Sequence, residues 1–220
     1  MRNVQTADEA YRDLASYVLE NGEEVPTDDE RTGMGTLQAF GLSYTVDTRE
    51  AFPIITTKKV FFDSVVAEIL WFLSGQPHIR DLQEYTSIWD EWADEDGELE
   101  TAYGRYWRSF PVMSVDQASE GEAVSHNIFT GGSVDQIKRV VHNIKENPHS
   151  RRHVVTAWHP DNAWASKLPP CHFAFVFHVH TDGHLSLELH QRSGDIALGV
   201  PFNMSGYSFL LHLVADETGL

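Results

Sequence analysis

Two β-rich runs, residues 173–180 and 185–191, flank Thr181-Asp182-Gly183-His184, and this pattern commits the chain to a hairpin. The turn decides how they pair. A two-residue loop at Asp182-Gly183 would set the phenylalanines opposite Ser186, Glu188, His190 and Arg192. A three-residue loop, Thr181-Asp182-Gly183 with the glycine left-handed, sets Phe175 opposite Leu189, Phe177 opposite Leu187 and Val179 opposite Leu185. Matched apolar faces specify register, so the second arrangement is expected.

That register carries the one cysteine of the chain with it. Cys171, in Leu168-Pro169-Pro170-Cys171-His172, is expected opposite Ser193, with Arg192 one position away across the ladder. A guanidinium beside a thiol favours the thiolate, the reactive form. An isolated cysteine is more often buried and inert; the arginine and the polar neighbours at a strand end favour the reactive reading. His172 adjoins Cys171, but neighbouring strand residues point to opposite faces, which argues against a protease-like pair. His178 and His180 do share a face, yet no third ligand accompanies them, so no metal site is expected.

Charge and composition narrow the function classes. A single cysteine among 220 residues excludes internal disulfides and multi-cysteine zinc sites. A net charge of −17 argues against nonspecific binding to nucleic acid or anionic membranes. No apolar run reaches membrane-spanning length and the first residues carry no apolar leader, so a cytoplasmic location is expected. Length and the absence of a linker or repeat suggest one domain over residues 1–220.

Elsewhere the periodicity is helical. Residues 7–19 carry Tyr11, Leu14 and Val18 at helical spacing and stop at Asn21-Gly22. Residues 23–30 are acidic and suggest a solvated loop. Arg31-Thr32-Gly33-Met34-Gly35-Thr36 lacks the Gly-Lys-Ser/Thr of a phosphate loop and precedes an alternating run, residues 42–46. Residues 62–73 give the strongest helix, with Phe62, Val65, Val66, Ile69, Leu70 and Leu73 on one face, Glu68 at its margin and Gly75 closing it. Aromatic clusters follow at residues 88–92 and 103–107. Residues 112–132 suggest a long surface loop. Ser133 with Gln136 gives a capping-box signature for a helix striped by Ile137, Val140, Val141 and Ile144 and ended near Pro148. Asn203 precedes Tyr207, Leu210, Leu211 and Val214, and suggests either a helix N-cap or an amide offering both donor and acceptor to a heterocycle.

Taken in order, these segments resemble the thymidylate synthases. The resemblance runs from about residue 8 to Leu220 through Arg31-Thr32-Gly33, Phe52-Pro53-Ile54-Ile55-Thr56-Thr57-Lys58, Glu68-Ile69-Leu70-Trp71-Phe72-Leu73-Ser74-Gly75, Ile88-Trp89-Asp90-Glu91-Trp92-Ala93, Ser150-Arg151-Arg152, Pro170-Cys171-His172 and residues 191–203. It implies an α+β fold, a mixed β-sheet with packed helices, and a homodimer. It also implies the reductive methylation of dUMP to dTMP by 5,10-methylenetetrahydrofolate, with Cys171 attacking carbon 6 of the uracil and no metal involved. Glu68 and Tyr103 would manage protons and water around the base. Arg31, Arg192 and Ser193 would hold the phosphate with Arg151 and Arg152 from the partner subunit, in the forked geometry arginine offers phosphate. Gln191, Asp195 and Asn203 would meet the substrate, Asn203 on the uracil edge. Trp89, Trp92, Asp195, Leu198, Gly199 and Phe202 would line the folate side.

The resemblance has three departures. Phe61 stands where a polar or basic residue is often found at the folate entrance. Residues 112–132 are longer than in compact members. The family continues past the helix after Asn203 with a His-x-Tyr ribose element and a closing tail, so the chain is expected to be C-terminally short. Two rivals follow: a pyrimidine hydroxymethylase of the same superfamily, opposed by Asn203 and Trp89, and a non-catalytic nucleotide- or RNA-binding relative, opposed by Cys171, Arg192 and Asn203.

The 33 acidic residues face 16 basic ones, only five of them lysine, which suggests adaptation to high salt, where screening removes self-repulsion. The melting temperature is therefore expected to climb as KCl is raised from low to molar concentration. A flat or falling melting curve would count against it.

Overall fold

A computed structural model describes residues 4–26, 34–99, 102–112, 132–160, 163 and 167–220. By their contacts they group into two compact units, one within Met1–Phe62 and Gly194–Ser208, the other within Asp63–Ser193 and Phe209–Leu220.

In the first unit, helix α1 (Ala7–Asn21) starts at a capping box. The Thr6 hydroxyl accepts the Glu9 N–H at 3.3 Å, and the Glu9 carboxylate accepts the Thr6 N–H at 2.9 Å. Asp8 in the first turn accepts bonds from the Thr56 hydroxyl and N–H, at 2.5 and 2.7 Å. These bonds hold its carboxyl below the usual range. Ala10, Ile55 and Met204 form the core here, with Tyr11, Tyr44 and Val46 packed against it. Residues 199–208, the first half of a long helix numbered α5 below, also belong to this unit. The Ser205 hydroxyl, fully buried, donates to the Pro53 carbonyl at 2.9 Å.

The acidic segment after α1 is not all loop. Strand β1 (Glu23–Val25) pairs antiparallel with β2 (Thr36–Gln38), and residues 27–33, Arg31 among them, lie outside the described residues. The alternating residues 42–46 form no ladder; Val46 makes one isolated parallel bridge to Gln5. Alternation alone does not make a strand where no neighbour supplies the hydrogen bonds.

In the second unit, α2 (Phe62–Ser74) ends as the sequence suggests. Gly75, at φ 75°, donates back to the Phe72 carbonyl. Its buried face differs from the expected stripe: Val65, Ile69, Trp71 and Phe72 are buried, while Leu70 is 50% exposed and Phe62 39%. The wide Trp71 ring, with its indole N–H on the His78 carbonyl at 2.9 Å, rotates the packed face by one position. Helix α3 (Tyr103–Arg108) lies directly against α2. Of the expected loop at residues 112–132, Val112 ends strand β3 (Phe110–Val112) and Gly132 begins its antiparallel partner β4 (Gly132–Val134); residues 113–131 lie outside the described residues.

Helix α4 (Gln136–Glu146) buries Ile137, Val140 and Ile144. Its cap is Asp135, whose carboxylate accepts the Lys138 N–H at 2.9 Å, and not Ser133, which sits in β4. Asp135 is closer to the first turn and brings a charge to the helix dipole. Gln136 is thereby released from capping. Its amide donates to the Tyr106 and Thr156 carbonyls, at 2.7 and 2.8 Å, and accepts the Thr156 N–H at 3.0 Å, tying α3, α4 and the sheet together.

The sheet runs in the order β5 (Val154–Thr156), β6 (His172–Val179), β7 (Leu185–Gln191), all antiparallel. The hairpin register is the expected one: Phe175 faces Leu189, Phe177 faces Leu187 and Val179 faces Leu185, with Gly183 at φ 88°. Phe175 and Phe177 are buried, and Trp107 meets Phe175 edge to face at 5.1 Å. Helix α5 (Gly199–Thr218) closes the chain, and its stripe buries Tyr207, Leu210 and Val214 as the spacing suggests. Helices beside small antiparallel sheets make this an α+β chain. No described helix is long and apolar enough to cross a membrane.

Gly104 in α3 has no room for a side chain: an added Cβ would lie 2.4 Å from the Phe72 carbonyl oxygen and 2.9 Å from its Cα. Backbone cannot yield as a side-chain tip can. Gly104→Ala is expected to cost about 2–4 kcal/mol in denaturant unfolding, against the small gain an exposed helical Gly→Ala change gives. An unchanged midpoint would show that α3 does not press on α2 this closely.

Candidate active site

The nucleophile candidate sits at the end of the hairpin, where the expected register slips. An irregularity between His172 and Ala174 places Phe173 as an extra residue on β6, so His172 pairs with Gln191 while Ala174 pairs with His190. Cys171 therefore lies across from Arg192, not Ser193: the Arg192 N–H donates to the Cys171 carbonyl at 2.9 Å. The Arg192 guanidinium folds back over the same loop. Its Nε donates to the Pro170 carbonyl at 2.9 Å, Nη2 to Pro169 at 2.6 Å, and Nη2 stands 3.6 Å from the Cys171 sulfur. The Trp158 ring lies 6.0 Å from the guanidinium carbon.

Cys171 is half-buried, and burial decides its resting state. Desolvation pushes the thiol above its ordinary value; Arg192 pulls the other way and does not win. Arg192 favours the thiolate, as the sequence suggests, but the burial of the thiol outweighs it. The thiol's nearest acceptor is the Pro169 carbonyl, 3.9 Å away.

Tyr103 reaches Cys171 from α3. Its hydroxyl oxygen accepts the Cys171 N–H at 2.7 Å. His172 points away from the sulfur, as strand alternation requires, and stacks on the Tyr103 ring at 3.7 Å and 5°. Burial raises the Tyr103 phenol and lowers the His172 imidazole to about 3, so both rest neutral. Neither this stacked pair nor Trp158 beneath the arginine is visible in local sequence patterns, because α3, β5 and β6 meet only through the fold.

Glu68 comes from α2. It is half-buried, and the Trp89 indole N–H donates to its Oε1 at 2.7 Å. Trp89 packs against Trp71, Phe72 and Tyr103 at 5.8–6.1 Å between centroids, so the aromatic cluster serves as core and as wall. Desolvation raises Glu68 to about 7, the indole bond opposing it. Trp92 is half-buried near by in sequence.

The structure thus brings Glu68, Trp89, Tyr103, Cys171 and Arg192 into one connected group in the second unit. Gln191 is half-buried on the same ladder and Ser193 is exposed. Arg151 and Arg152 are exposed ahead of β5, and their guanidinium groups bond to no other described residue. In the first unit, Asp195 Oδ1 accepts the N–H groups of Ala197 and Leu198, both at 2.8 Å, and Lys58 donates to the Ala197 carbonyl. This turn leads into α5, so Asn203 is its fifth residue and not its N-cap. A Cβ on Gly199 would make only ordinary contacts, 3.7 Å from Asn203 Oδ1 and 3.9 Å from Asp195 Cβ, which places Gly199 beside both residues. Phe202 is half-buried and Leu198 is 64% exposed. Phe61 is exposed with the Lys59 ammonium 4.5 Å from its ring centre. His178 and His180 lie edge to face at 4.6 Å, and His180 meets the Ser186 hydroxyl at 2.8 Å; among the described residues no group of three His, Cys, Asp or Glu could hold a metal ion.

The sequence model of the family described as thymidylate synthase matches residues 9–220. The chain belongs to the thymidylate synthase family. It is 48% identical over 212 residues to a protein of Haloferax volcanii named thymidylate synthase, covering 94% of this chain and 61% of that relative. The resemblance read from the motifs is therefore family membership, and the chain spans about 61% of that relative's length.

Glu68 and His172 give opposite pH signatures. Glu68 is raised, so the folded state keeps a proton the unfolded chain releases, and stability falls as pH climbs from 4.5 to about 7. His172 is lowered, so stability falls as pH drops below 6.5 towards about 3. Glu68→Gln cannot ionise and is expected to flatten the first slope, by on the order of 2 kcal/mol across that window, while leaving the second. Urea unfolding from acid to neutral pH measures it, and an unchanged slope would refute the burial argument.

Proposed function

We propose that this chain is the catalytic domain of an enzyme that methylates dUMP reductively to dTMP. The observation that carries the reading is the Cys171 sulfur held between the Arg192 guanidinium, 3.6 Å away, and a backbone fixed by the Tyr103 hydroxyl. Family membership supports the reaction class.

In this reading Cys171 loses its proton as substrate binds and attacks carbon 6 of the uracil, forming a carbon–sulfur bond and making carbon 5 nucleophilic. Bound 5,10-methylenetetrahydrofolate would supply the one-carbon unit to carbon 5, whose own proton is given up to base or water, and then the hydride that completes the methyl group, leaving as dihydrofolate. Glu68, raised to about 7, can hold or release a proton near neutral pH, the condition general acid–base work requires. Tyr103 and the Trp89-bound carboxylate order the water and protons about the base. Breaking the bond from sulfur to carbon 6 returns the thiolate and frees dTMP.

Arg31, Arg192 and Ser193 bind the phosphate, joined by Arg151 and Arg152 from the second subunit of a homodimer. The guanidinium groups of Arg151 and Arg152 bond to no other described residue, which supports their reaching a partner's phosphate. Asn203 offers a donor and an acceptor to the uracil edge, with Gln191 and Asp195 beside the substrate. Trp89, Trp92, Leu198, Gly199 and Phe202 line the folate side with Asp195. A cytoplasmic location and one domain over residues 1–220 complete the reading. Salt adaptation is supported by the acid excess and by the likeness to a haloarchaeal relative.

5-Fluoro-dUMP with the folate is expected to trap a covalent adduct on this chain, seen as a mass increase, and Cys171→Ala to abolish it. No adduct on the cysteine protein, with dUMP still bound, would favour a binding module. Hydroxymethyl-dUMP as product, without dihydrofolate, would make it a hydroxymethylase.

A further inference from the structure

The guanidinium of Arg192 stands against the Cys171 sulfur, and what holds it there decides how strongly it acts. Two other arginines of the chain are held by carboxylates, Arg49 by Asp47 at 2.5 Å and Arg108 by Asp135 at 2.9 Å. Arg192 takes no carboxylate among the described residues. Its Nε and Nη2 go to the carbonyls of Pro170 and Pro169, which are neutral acceptors. These bonds pin one edge of the guanidinium and leave its plane free to swing about that edge. The face is covered by the Trp158 ring, whose centre lies 6.0 Å from the guanidinium carbon.

Trp158 is itself fixed, and by the same irregularity that places Arg192. Its backbone N–H donates to the Thr156 hydroxyl at 3.1 Å, and that hydroxyl donates to the Phe173 carbonyl at 3.1 Å. The Ala157 N–H donates to the same carbonyl at 2.8 Å. The Trp158 ring meets the Phe173 ring edge to face at 6.4 Å. Phe173 is the extra residue on β6 that sets Arg192 across from Cys171. The end of β5 and the start of β6 thus hold the ring and the arginine to one common reference.

The choice of an aromatic partner has a chemical consequence. A carboxylate would hold the guanidinium and cancel its charge, whereas a ring face attracts it through the quadrupole and leaves the charge in place. We propose that Trp158 is a positioning residue for Arg192, its ring fixing the plane of the guanidinium against the Cys171 sulfur without neutralising it. The proposal rests on the reading of Cys171 as the nucleophile, and Trp158 acts in it only through Arg192.

The test uses the pH profile of Cys171 alkylation by iodoacetamide, which has a single thiol to modify in this chain. Tyr103 and His172, the titratable groups beside Cys171, stay neutral from neutral to moderately alkaline pH. Trp158→Leu keeps apolar bulk and removes the ring. It is expected to slow alkylation roughly three-fold on the neutral side and move the profile to higher pH, with the alkaline plateau unchanged. Trp158→Phe, which restores a ring face, should stay close to wild type. Added to Arg192→Ala, the Leu change should do nothing further, since the group it acts through is gone. A wild-type profile in Trp158→Leu, a Phe variant as slow as the Leu variant, or an equal loss on the Arg192→Ala background would each overturn the proposal. Trp158→Met takes the place of a Leu variant that does not fold. Alkylation needs neither dUMP nor folate, so the outcome separates from the fluoro-dUMP trap. A shifted profile without an adduct keeps the role of Trp158 and removes the reaction; an adduct with an unshifted profile does the reverse.

Discussion

The bond from the Cys171 N–H to the Tyr103 hydroxyl is the constraint on which the candidate site depends. It is a single 2.7 Å contact between residues far apart in sequence, yet both ends are immobilised by bulk packing. Tyr103 is 4% exposed, wedged against Phe72 and stacked on His172. The loop before Cys171 is held by the buried Pro170 and by the guanidinium of Arg192. A polar group so enclosed must find a partner or be very costly to bury, so the phenol and the amide enforce one another. The sulfur inherits its position from the aromatic core.

What the sequence made legible divides along a physical line. Local and periodic features came through: α1 with its glycine stop, the burial of α4, and above all the hairpin, where Phe175 and Phe177 could be satisfied in one register only. Features set by distant groups did not. Trp71 turned the buried face of α2 because its indole found the His78 carbonyl, and no helical count anticipates that. Asp135 took the cap from Ser133, which β4 holds in its ladder, and Gln136 bonds to the backbone of Thr156 instead. Strand β1 formed in an acidic stretch because β2 came back to pair with it.

The site shows the same division. The choice of Cys171, Arg192, Tyr103 and Glu68 as candidates was readable from motif order, because those residue types stand in the family's sequence of motifs. Their electrostatics were not readable. An arginine beside a thiol suggested a thiolate, but the sign of the net effect turns on how much water remains, and burial outweighs the arginine. Glu68 likewise sat at the margin of a helix in the sequence. It becomes a group that titrates near neutrality because Trp89 and its aromatic neighbours exclude solvent around it.

The extra residue at Phe173 works as a vernier between two scales. On one side of it the hairpin keeps step with the hydrophobic core, where a slip of one residue would turn every phenylalanine outward. On the other side the same strand has been advanced by one, which is what sets Arg192 across from Cys171. The two halves of one strand therefore answer to different masters. A change confined to the irregularity would move Cys171 relative to Arg192 while the packed end of the strand held its phase.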